Sequence, residues 1–198
     1  MSRTAKTTDR VEGDKYQTPV SALEPLLSYI NFEKVGSFLE PCVGEGNILN
    51  TVSPLLRKTC SIFTTEIEKN SDYFTNLFPD VDLIITNPPF SKALPFLEKS
   101  LCEAKTVIYL LRLNFLASQG RKEFWSQYPP DYLFVLSKRP CFVWTCKTGG
   151  CKKKYPVGIK ACTCGGRVGP GTDATEYAWF VWDSANLIDE GTNWITVL

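Results

Sequence analysis

The sequence predicts an α/β domain built on a mostly parallel sheet with helices on both faces, and three observations carry that prediction. Apolar runs of strand length recur along the chain and alternate with stretches of helical periodicity. The run Val81-Asp82-Leu83-Ile84-Ile85-Thr86 is apolar nearly throughout, as a parallel strand buried on both faces must be. With 198 residues and 43% hydrophobic content, the chain can bury one substantial core, so one domain plus a small appendage is the natural count.

The elements follow in order. Residues 1–13 are polar and are expected to form a loose tail. A helix is expected from Pro19 to Ile30, with Thr18 as its N-cap and Pro19 at the first helical position. Strands are expected at Ser37–Glu40, Cys60–Thr65, Val81–Thr86, Thr106–Leu113, Tyr132–Ser137 and Glu176–Trp182, with a last short run at Trp194–Val197. Helical stretches at about 46–57, 67–77, 92–104 and 117–127 separate the first five. Between Lys138 and Asp173 the alternation stops. That segment is rich in Cys, Gly and Lys and has no helical pattern, so it reads as an insert between a core of residues 14–137 and a completing segment of residues 174–198.

Composition excludes several function classes. No apolar run approaches the ~18 residues needed to span a membrane. The chain contains no histidine, which removes His-based acid–base catalysis and His-ligated metal sites. The polar start lacks the apolar core of a signal peptide, so the eight cysteines are expected to be thiols or metal ligands in a reducing, cytoplasmic setting rather than a disulfide framework. The net charge of +1 hides an asymmetry. The insert carries eight basic residues and one acid, +7 in all, which leaves −6 on the remainder. A basic module on a mildly acidic body is suited to binding a polyanion.

Two constellations carry chemistry. Leu39-Glu40-Pro41-Cys42-Val43-Gly44-Glu45-Gly46-Asn47 joins the first strand to the next helix, and glycines spaced by one residue let the backbone approach a ligand closely. The second strand ends at Glu66, about 20 residues beyond the glycines, where an acid can accept both hydroxyls of a ribose. The third ends in Asn87-Pro88-Pro89-Phe90. Its prolines fix two φ angles and remove two donors, leaving a rigid ledge with a carboxamide, accepting carbonyls and an exposed ring, suited to holding a flat amine-bearing group. Ligands of open α/β sheets bind at the carboxyl ends of the strands, so Glu40, Gly44, Gly46, Glu66 and Asn87 should converge on one crevice.

These motifs, in this order, resemble the class I S-adenosylmethionine-dependent methyltransferases, and among them the small phage or bacterial enzymes that methylate adenine N6 in DNA. Asp14-Lys15-Tyr16-Gln17-Thr18-Pro19 resembles the segment closing over the cofactor's methionine end, and Leu39 to Gly46 resembles the cofactor loop. Asn87 to Phe90 resembles the catalytic motif. Arg112-Leu113-Asn114-Phe115-Leu116, Arg139-Pro140-Cys141-Phe142 and Thr175-Glu176-Tyr177-Ala178-Trp179-Phe180 add to the likeness, which covers roughly residues 14–142 and 172–183. The resemblance implies a Rossmann-like fold with an antiparallel final strand. It implies cofactor contacts at Tyr16, Thr18, Glu40, Pro41, Cys42, Gly44, Gly46, Asn47, Glu66 and Asn87, and catalysis at Asn87, Pro88, Pro89 and Phe90. Relatives carry an acid or polar residue after a further strand, contacting the cofactor's adenine. The short interval between Glu66 and Asn87 leaves that strand short or missing, with Asp72 and Asn76 as the candidates. The motif serves exocyclic-amine or amide-nitrogen methylation, so adenine in RNA, cytosine N4 and a glutamine side chain stand as alternatives. So does a non-catalytic nucleic-acid-binding subunit of a methyltransferase complex.

In the insert, Cys146-x4-Cys151 and Cys162-x-Cys164 form two close pairs about ten residues apart, with glycines beside each. That suits a four-thiolate zinc site of ribbon type, against the alternatives of disulfides or unlinked thiols. A segment this poor in apolar residues has too little core to fold alone, whereas zinc supplies on the order of 10 kcal/mol. The resemblance implies that the strand near 132–137 runs parallel and the one near 176–182 antiparallel, so the insert should emerge at the Asn87 end of the sheet, with Arg139, Lys147, Lys152, Lys153, Lys154, Lys160 and Arg167 available to DNA phosphates. Cys42, Cys60, Cys102 and Cys141 are expected as small core residues. Without a large recognition domain, target selection implies a relaxed site, a homodimer or a partner subunit.

Overall fold

A computed structural model of the protein describes residues 17–78, 80–142, 144–149, 151, 153–155, 160–170 and 175–198, so Tyr16 and Lys152 lie outside the described residues. In chain order the strands are β1 (Ser37–Glu40), β2 (Ser61–Thr64), β3 (Val81–Thr86), β4 (Ala104–Arg112), β5 (Tyr132–Val135), β6 (Trp144–Cys146), β7 (Lys154–Tyr155), β8 (Val168–Pro170), β9 (Tyr177–Asp183) and β10 (Ile195–Val197). The helices are α1 (Val20–Leu27), α2 (Asn47–Val52), α3 (Ala93–Glu103) and α4 (Lys122–Gln127). Seven strands form one sheet in the order β10-β5-β9-β4-β3-β1-β2, and β7-β6-β8 form a second, small one in the insert.

The apolar runs become the middle of the large sheet. Leu83, Ile84 and Ile85 of β3 are wholly buried, and every residue of β9 from Tyr177 to Trp182 is buried. One face is covered by α1 and α2, whose Leu23, Leu26, Ile48 and Val52 pack with Leu83, Ile85 and Trp179. The other is covered by α3, whose Ala93, Phe96 and Leu97 pack with Ile84, Tyr109 and Phe180. Trp179 Nε1 donates to the Ala22 carbonyl at 2.8 Å, which satisfies a buried donor and ties α1 to β9.

Strands β1, β2, β3 and β4 are mutually parallel, while β9 runs antiparallel to both β4 and β5. β5 therefore runs parallel to β4, and the segment leaving its carboxyl end emerges where β3 ends. This is the expected Rossmann-like arrangement with an antiparallel strand, joined by a short parallel edge pairing of β10 with β5.

Three expectations are corrected. Thr18 does not cap α1: Pro19 occupies the N-cap in extended conformation (φ −64°, ψ 135°), and Thr18 is buried instead. No α-helix forms over 67–77. Two short 3-10 turns stand there, Ile67–Lys69 and Tyr73–Thr75, capped by Glu66 and Asp72 side chains and separated by Asn70 at φ 58°. Acid side chains that bond the backbone two residues on compete with helix formation, and a left-handed residue interrupts it. Among the described residues the further strand is absent, and β2 is the sheet's edge. Finally, Cys42, Cys60 and Cys141 are only partly buried and Cys102 is exposed on α3. No helix among the described residues is long and apolar enough to cross a membrane.

Candidate active site

The exits of β1 and β2 are laced together by the loop between β1 and α2. Thr65 Oγ1 donates to the Pro41 carbonyl at 2.8 Å, and the Val43 N–H donates to the Thr65 carbonyl at 3.3 Å. The loop then turns through Gly44 (φ 53°) and Gly46 (φ 88°), both left-handed, a region where side chains are strained. A Cβ on Gly44 would stand 2.6 Å from Nε2 of Gln17, so the N-terminal segment crosses directly over the loop. Asn47 ties that segment down, its Nδ2 donating to the Thr18 carbonyl at 2.9 Å. The glycine loop thus positions Thr18, Asn47 and Gln17 in one place, although Asn47 acts through its grip on the chain.

Two carboxylates face this loop. Glu66 Oε2 accepts the Gly44 N–H at 2.6 Å and Oε1 accepts the Glu68 N–H at 3.4 Å. Each oxygen keeps a further lone pair for a ligand hydroxyl. Glu40 is 1% exposed, and its Oε2 is buried with no hydrogen-bond partner. Burial pushes its carboxyl up to about 8, helped by the charge of Glu66 and opposed by the Leu49 N–H. Cys42, between them, is held firmly as the neutral thiol by burial and by the two carboxylates, so it is not a nucleophile. A partnerless buried carboxylate oxygen, a second carboxylate and an opened glycine turn fit a ligand that carries a cation and vicinal hydroxyls. Asp72, whose charge also acts on Cys42, and Asn76 are bonded within their own turn. Asp72 Oδ1 accepts the Phe74 N–H at 3.0 Å, and Asn76 Nδ2 donates to the Asp72 carbonyl at 2.7 Å.

The ledge leaves β3 beside this crevice, since Leu39 of β1 lies opposite Ile84 of β3. Pro88 is buried, Asn87 and Pro89 are half-buried, and the Lys92 N–H donates to the Pro89 carbonyl at 2.9 Å to start the turn into α3. Phe90 departs from the expected exposed ring. It is half-buried, with its centroid 5.8 Å from that of Tyr177 and 6.5 Å from that of Phe142, and the Arg112 guanidinium lies 4.8 Å from it. Arg112 Nε donates to the Tyr177 hydroxyl at 3.2 Å. A pocket of about 180 Å³ opens beside Phe90, lined also by Ser91, Leu111, Arg112, Asn114 and Arg121. Arg121 braces its rim, Nε donating to the Phe115 carbonyl at 2.7 Å. The sequence reading left Arg112, Tyr177 and Phe142 out of the site. The available signal was the pairing of β4 with β9, which sets Arg112 directly opposite Tyr177.

The insert is clamped at its neck by an ion pair between Arg139 and Glu176, so this candidate phosphate contact is already engaged. Its four cysteines converge, all four sulfur atoms lying within 4.8 Å of one another. Cys146 and Cys164 are 3.6 Å apart, Cys151 and Cys162 3.7 Å, and Cys162 and Cys164 3.1 Å. A tetrahedral ion with metal–sulfur bonds of ~2.3 Å requires sulfur spacings of about 3.8 Å, whereas a disulfide requires about 2.05 Å. All the separations exceed that of a disulfide, and they scatter about the tetrahedral spacing, from 3.1 Å to at most 4.8 Å. The Tyr155 hydroxyl donates to Cys162 Sγ at 3.0 Å and holds that thiol well below its ordinary range, while the neighbouring Cys162 sulfur pushes Cys164 up. Lys153 Nζ donates to Thr163 Oγ1 at 2.6 Å, and Lys147, Lys154, Lys160 and Arg167 are exposed.

No protein-family model matches the chain, and no curated protein matches it. Solved structures do share its fold. A candidate RNA methyltransferase from Pyrococcus horikoshii superposes with a TM-score of 0.61 at 14% identity, over 89% of this chain and 91% of that one. The modification subunit of a candidate type I restriction enzyme from Vibrio vulnificus gives a TM-score of 0.53 at 15% identity, over 96% of this chain and 50% of that one. A dimethyladenosine transferase from Plasmodium falciparum gives 0.50 at 11% identity, over 84% and 61%. The chain has the Rossmann-like methyltransferase fold.

The burial of Glu40 has a measurable consequence. Its folded carboxyl keeps a proton between pH 4.5 and about 8, where the unfolded one has lost it. Stability must therefore fall as pH rises through that window. Glu40→Gln, neutral and of the same shape, should remove this fall. Melting temperatures of parent and variant from about pH 5 to 8.5 check it, and parallel curves would show that Glu40 ionises normally.

Proposed function

We propose that the chain is an S-adenosylmethionine-dependent methyltransferase acting on the exocyclic N6 of adenine in DNA, with a zinc-bearing insert that grips the nucleic-acid backbone. The observation carrying this reading is the meeting, at one sheet end, of the buried Glu40 carboxylate, the Gly44–Glu66 turn and the Asn87-Pro88-Pro89-Phe90 ledge. The bound cofactor would supply an electrophilic methyl group on a sulfonium. Glu40 would receive its cationic end and Glu66 its ribose hydroxyls, beneath the segment that crosses at Gln17 and Thr18.

The adenine amine is a weak nucleophile because its lone pair is delocalised into the ring. Asn87 Oδ1 and the Pro88 carbonyl can each accept one of its N–H groups, which turns the nitrogen towards a tetrahedral form. Asn cannot take up a proton at neutral pH, so its role is orientation and electrostatics. Positioning of this kind can remove up to ~7–11 kcal/mol of barrier. Phe90 supplies a stacking surface, worth about 1–3 kcal/mol per base, which offsets part of the few kcal/mol needed to extrude a nucleotide.

Four thiolates around one Zn²⁺ carry −2, so the insert's +7 becomes about +5, still strongly basic. The support for zinc is the convergence of four cysteine sulfur atoms within 4.8 Å of one another. A second reading, adenine in RNA, draws on the names of the fold neighbours from Pyrococcus and Plasmodium, while the Vibrio subunit's name points to DNA.

Incubation of the protein with S-adenosylmethionine and duplex DNA, single-stranded DNA or RNA should yield N6-methyladenine in DNA by nucleoside mass spectrometry. Asn87→Ala should lower kcat by at least ~100-fold while cofactor affinity by calorimetry changes little. Product in RNA alone would establish the second reading, and no cofactor uptake would overturn both.

Metal analysis should find one zinc per chain. Cys162→Ser should lose it and melt the insert, visible in the fluorescence of Trp144 while the large sheet stays folded. Reversing Lys153 and Lys154 to Glu should weaken DNA binding and flatten its salt dependence. Binding unchanged at both low and high salt would remove the insert from the DNA interface.

A further inference from the structure

The absent strand leaves the sheet with an open edge of unusual character. All four residues of β2 are exposed, and its pairing with β1 uses only one side of its backbone. The Ser61 N–H donates to the Gly36 carbonyl and the Thr65 N–H to the Glu40 carbonyl, so Ser61, Phe63 and Thr65 face β1. In a parallel ladder the alternate residues, Ile62 and Thr64, turn their N–H and C=O groups outward. Among the described residues, no strand takes them up.

Natural edge strands are blunted by charge, proline or a bulge. This one has none: its sequence is Ser-Ile-Phe-Thr, and Ile62 and Phe63 are 44% and 40% exposed. Phe63 stands 5.8 Å, ring to ring, from Phe78, and Phe74 and Leu77 of the same stretch are exposed as well. An apolar edge without any protective device is suited to being covered.

We propose that β2 is a dimerisation edge, at which two copies of this chain pair their β2 strands antiparallel across a twofold axis and extend the sheet through both molecules. Three features on the strand select a second copy over an unrelated peptide. The outward-facing residues Ile62 and Thr64 are two apart, so Ile62 of one copy meets Thr64 of the other and they exchange both backbone bonds. Phe63 then faces its own counterpart on the axis as a non-hydrogen-bonded pair, with Cα atoms about 4.5 Å apart, the spacing at which cross-strand aromatic pairs interact best. The charges at the strand's two ends are complementary as well. Exposed Lys58 precedes β2 and exposed Glu68 follows it, and antiparallel pairing brings the basic end of each copy beside the acidic end of the other. A twofold contact requires such self-complementarity, and it closes at two chains.

Sedimentation of the full chain from about 1 to 100 µM tests this, since mass action makes dimer content depend on concentration. The parent should sediment as a dimer in the upper part of that range. Thr64→Pro removes only an N–H that points away from β1, and Phe63→Lys sets two like charges on the axis. Both should sediment as monomers with melting temperatures unchanged once dissociation is allowed for. Lys58→Glu should raise the dissociation constant about tenfold, and adding Glu68→Lys should restore it. The restoration decides the matter even if the Phe63 variant folds poorly. A parent that stays monomeric at about 100 µM, an open-ended assembly, or a dimer that survives both Thr64→Pro and the charge reversal would overturn the proposal.

Discussion

The placement of β9 between β4 and β5, antiparallel to both, is the constraint on which the rest of the arrangement depends. A parallel strand in that position would need a crossover that carries the chain to the opposite end of the sheet. The antiparallel strand needs none, so the chain that leaves β5 can wander through the whole insert and re-enter at Tyr177 without leaving the Asn87 end. The pairing is extensive, running from Thr106 opposite Asp183 to Arg112 opposite Tyr177, and every β9 residue from Tyr177 to Trp182 is buried. A cysteine-rich attachment is thereby anchored on a strand whose residues from Tyr177 to Trp182 are all buried.

At that end the electrostatics are arranged at a cost. Glu40 is buried without a partner for one oxygen, and Glu66 raises its pKa further. Stability alone would favour an apolar residue there, because an unsatisfied buried acceptor costs about 1–3 kcal/mol. Strained or unsatisfied groups that persist are characteristic of functional positions. The glycine turn beside it follows the same logic, since left-handed Gly44 stands where a side chain would strike Gln17.

Much of this was legible in the sequence, and the reasons for the rest are local. Strands β1 and β3 appear within their expected limits because their residues are buried on both faces and nothing competes with the apolar pattern. The 67–77 stretch failed as a helix because Glu66 and Asp72 offered the backbone nearer partners than the next helical turn. Helical periodicity cannot register that competition. The missing strand was correctly anticipated from the short interval between Glu66 and Asn87. Its consequence, an apolar edge at Ile62 and Phe63, was not, because exposure of an edge depends on what fails to cover it. Thr18 was misread as a cap since a threonine before a proline is also what a buried extended residue looks like.

The surroundings of Phe90 carry the argument furthest beyond the sequence. Read alone, the ledge offers an open ring to a base. In the folded chain that ring is in contact with Arg112, Tyr177 and Phe142, and each belongs to a different part of the molecule. Arg112 ends β4, Tyr177 begins β9, and Phe142 lies two residues before the insert's first strand. Phe142 and Tyr177 are themselves 5.0 Å apart, so the aromatic cluster joins the neck of the insert to the ledge that follows β3. Close-packed aromatic contacts transmit displacement because interiors tolerate little empty volume. Under the proposed function, a nucleic acid that shifted the insert would act on the ring offered to its base, and a base settling on Phe90 would have to displace or accommodate the guanidinium covering it. The ledge is rigid in its backbone, through its prolines, and conditional in its ring.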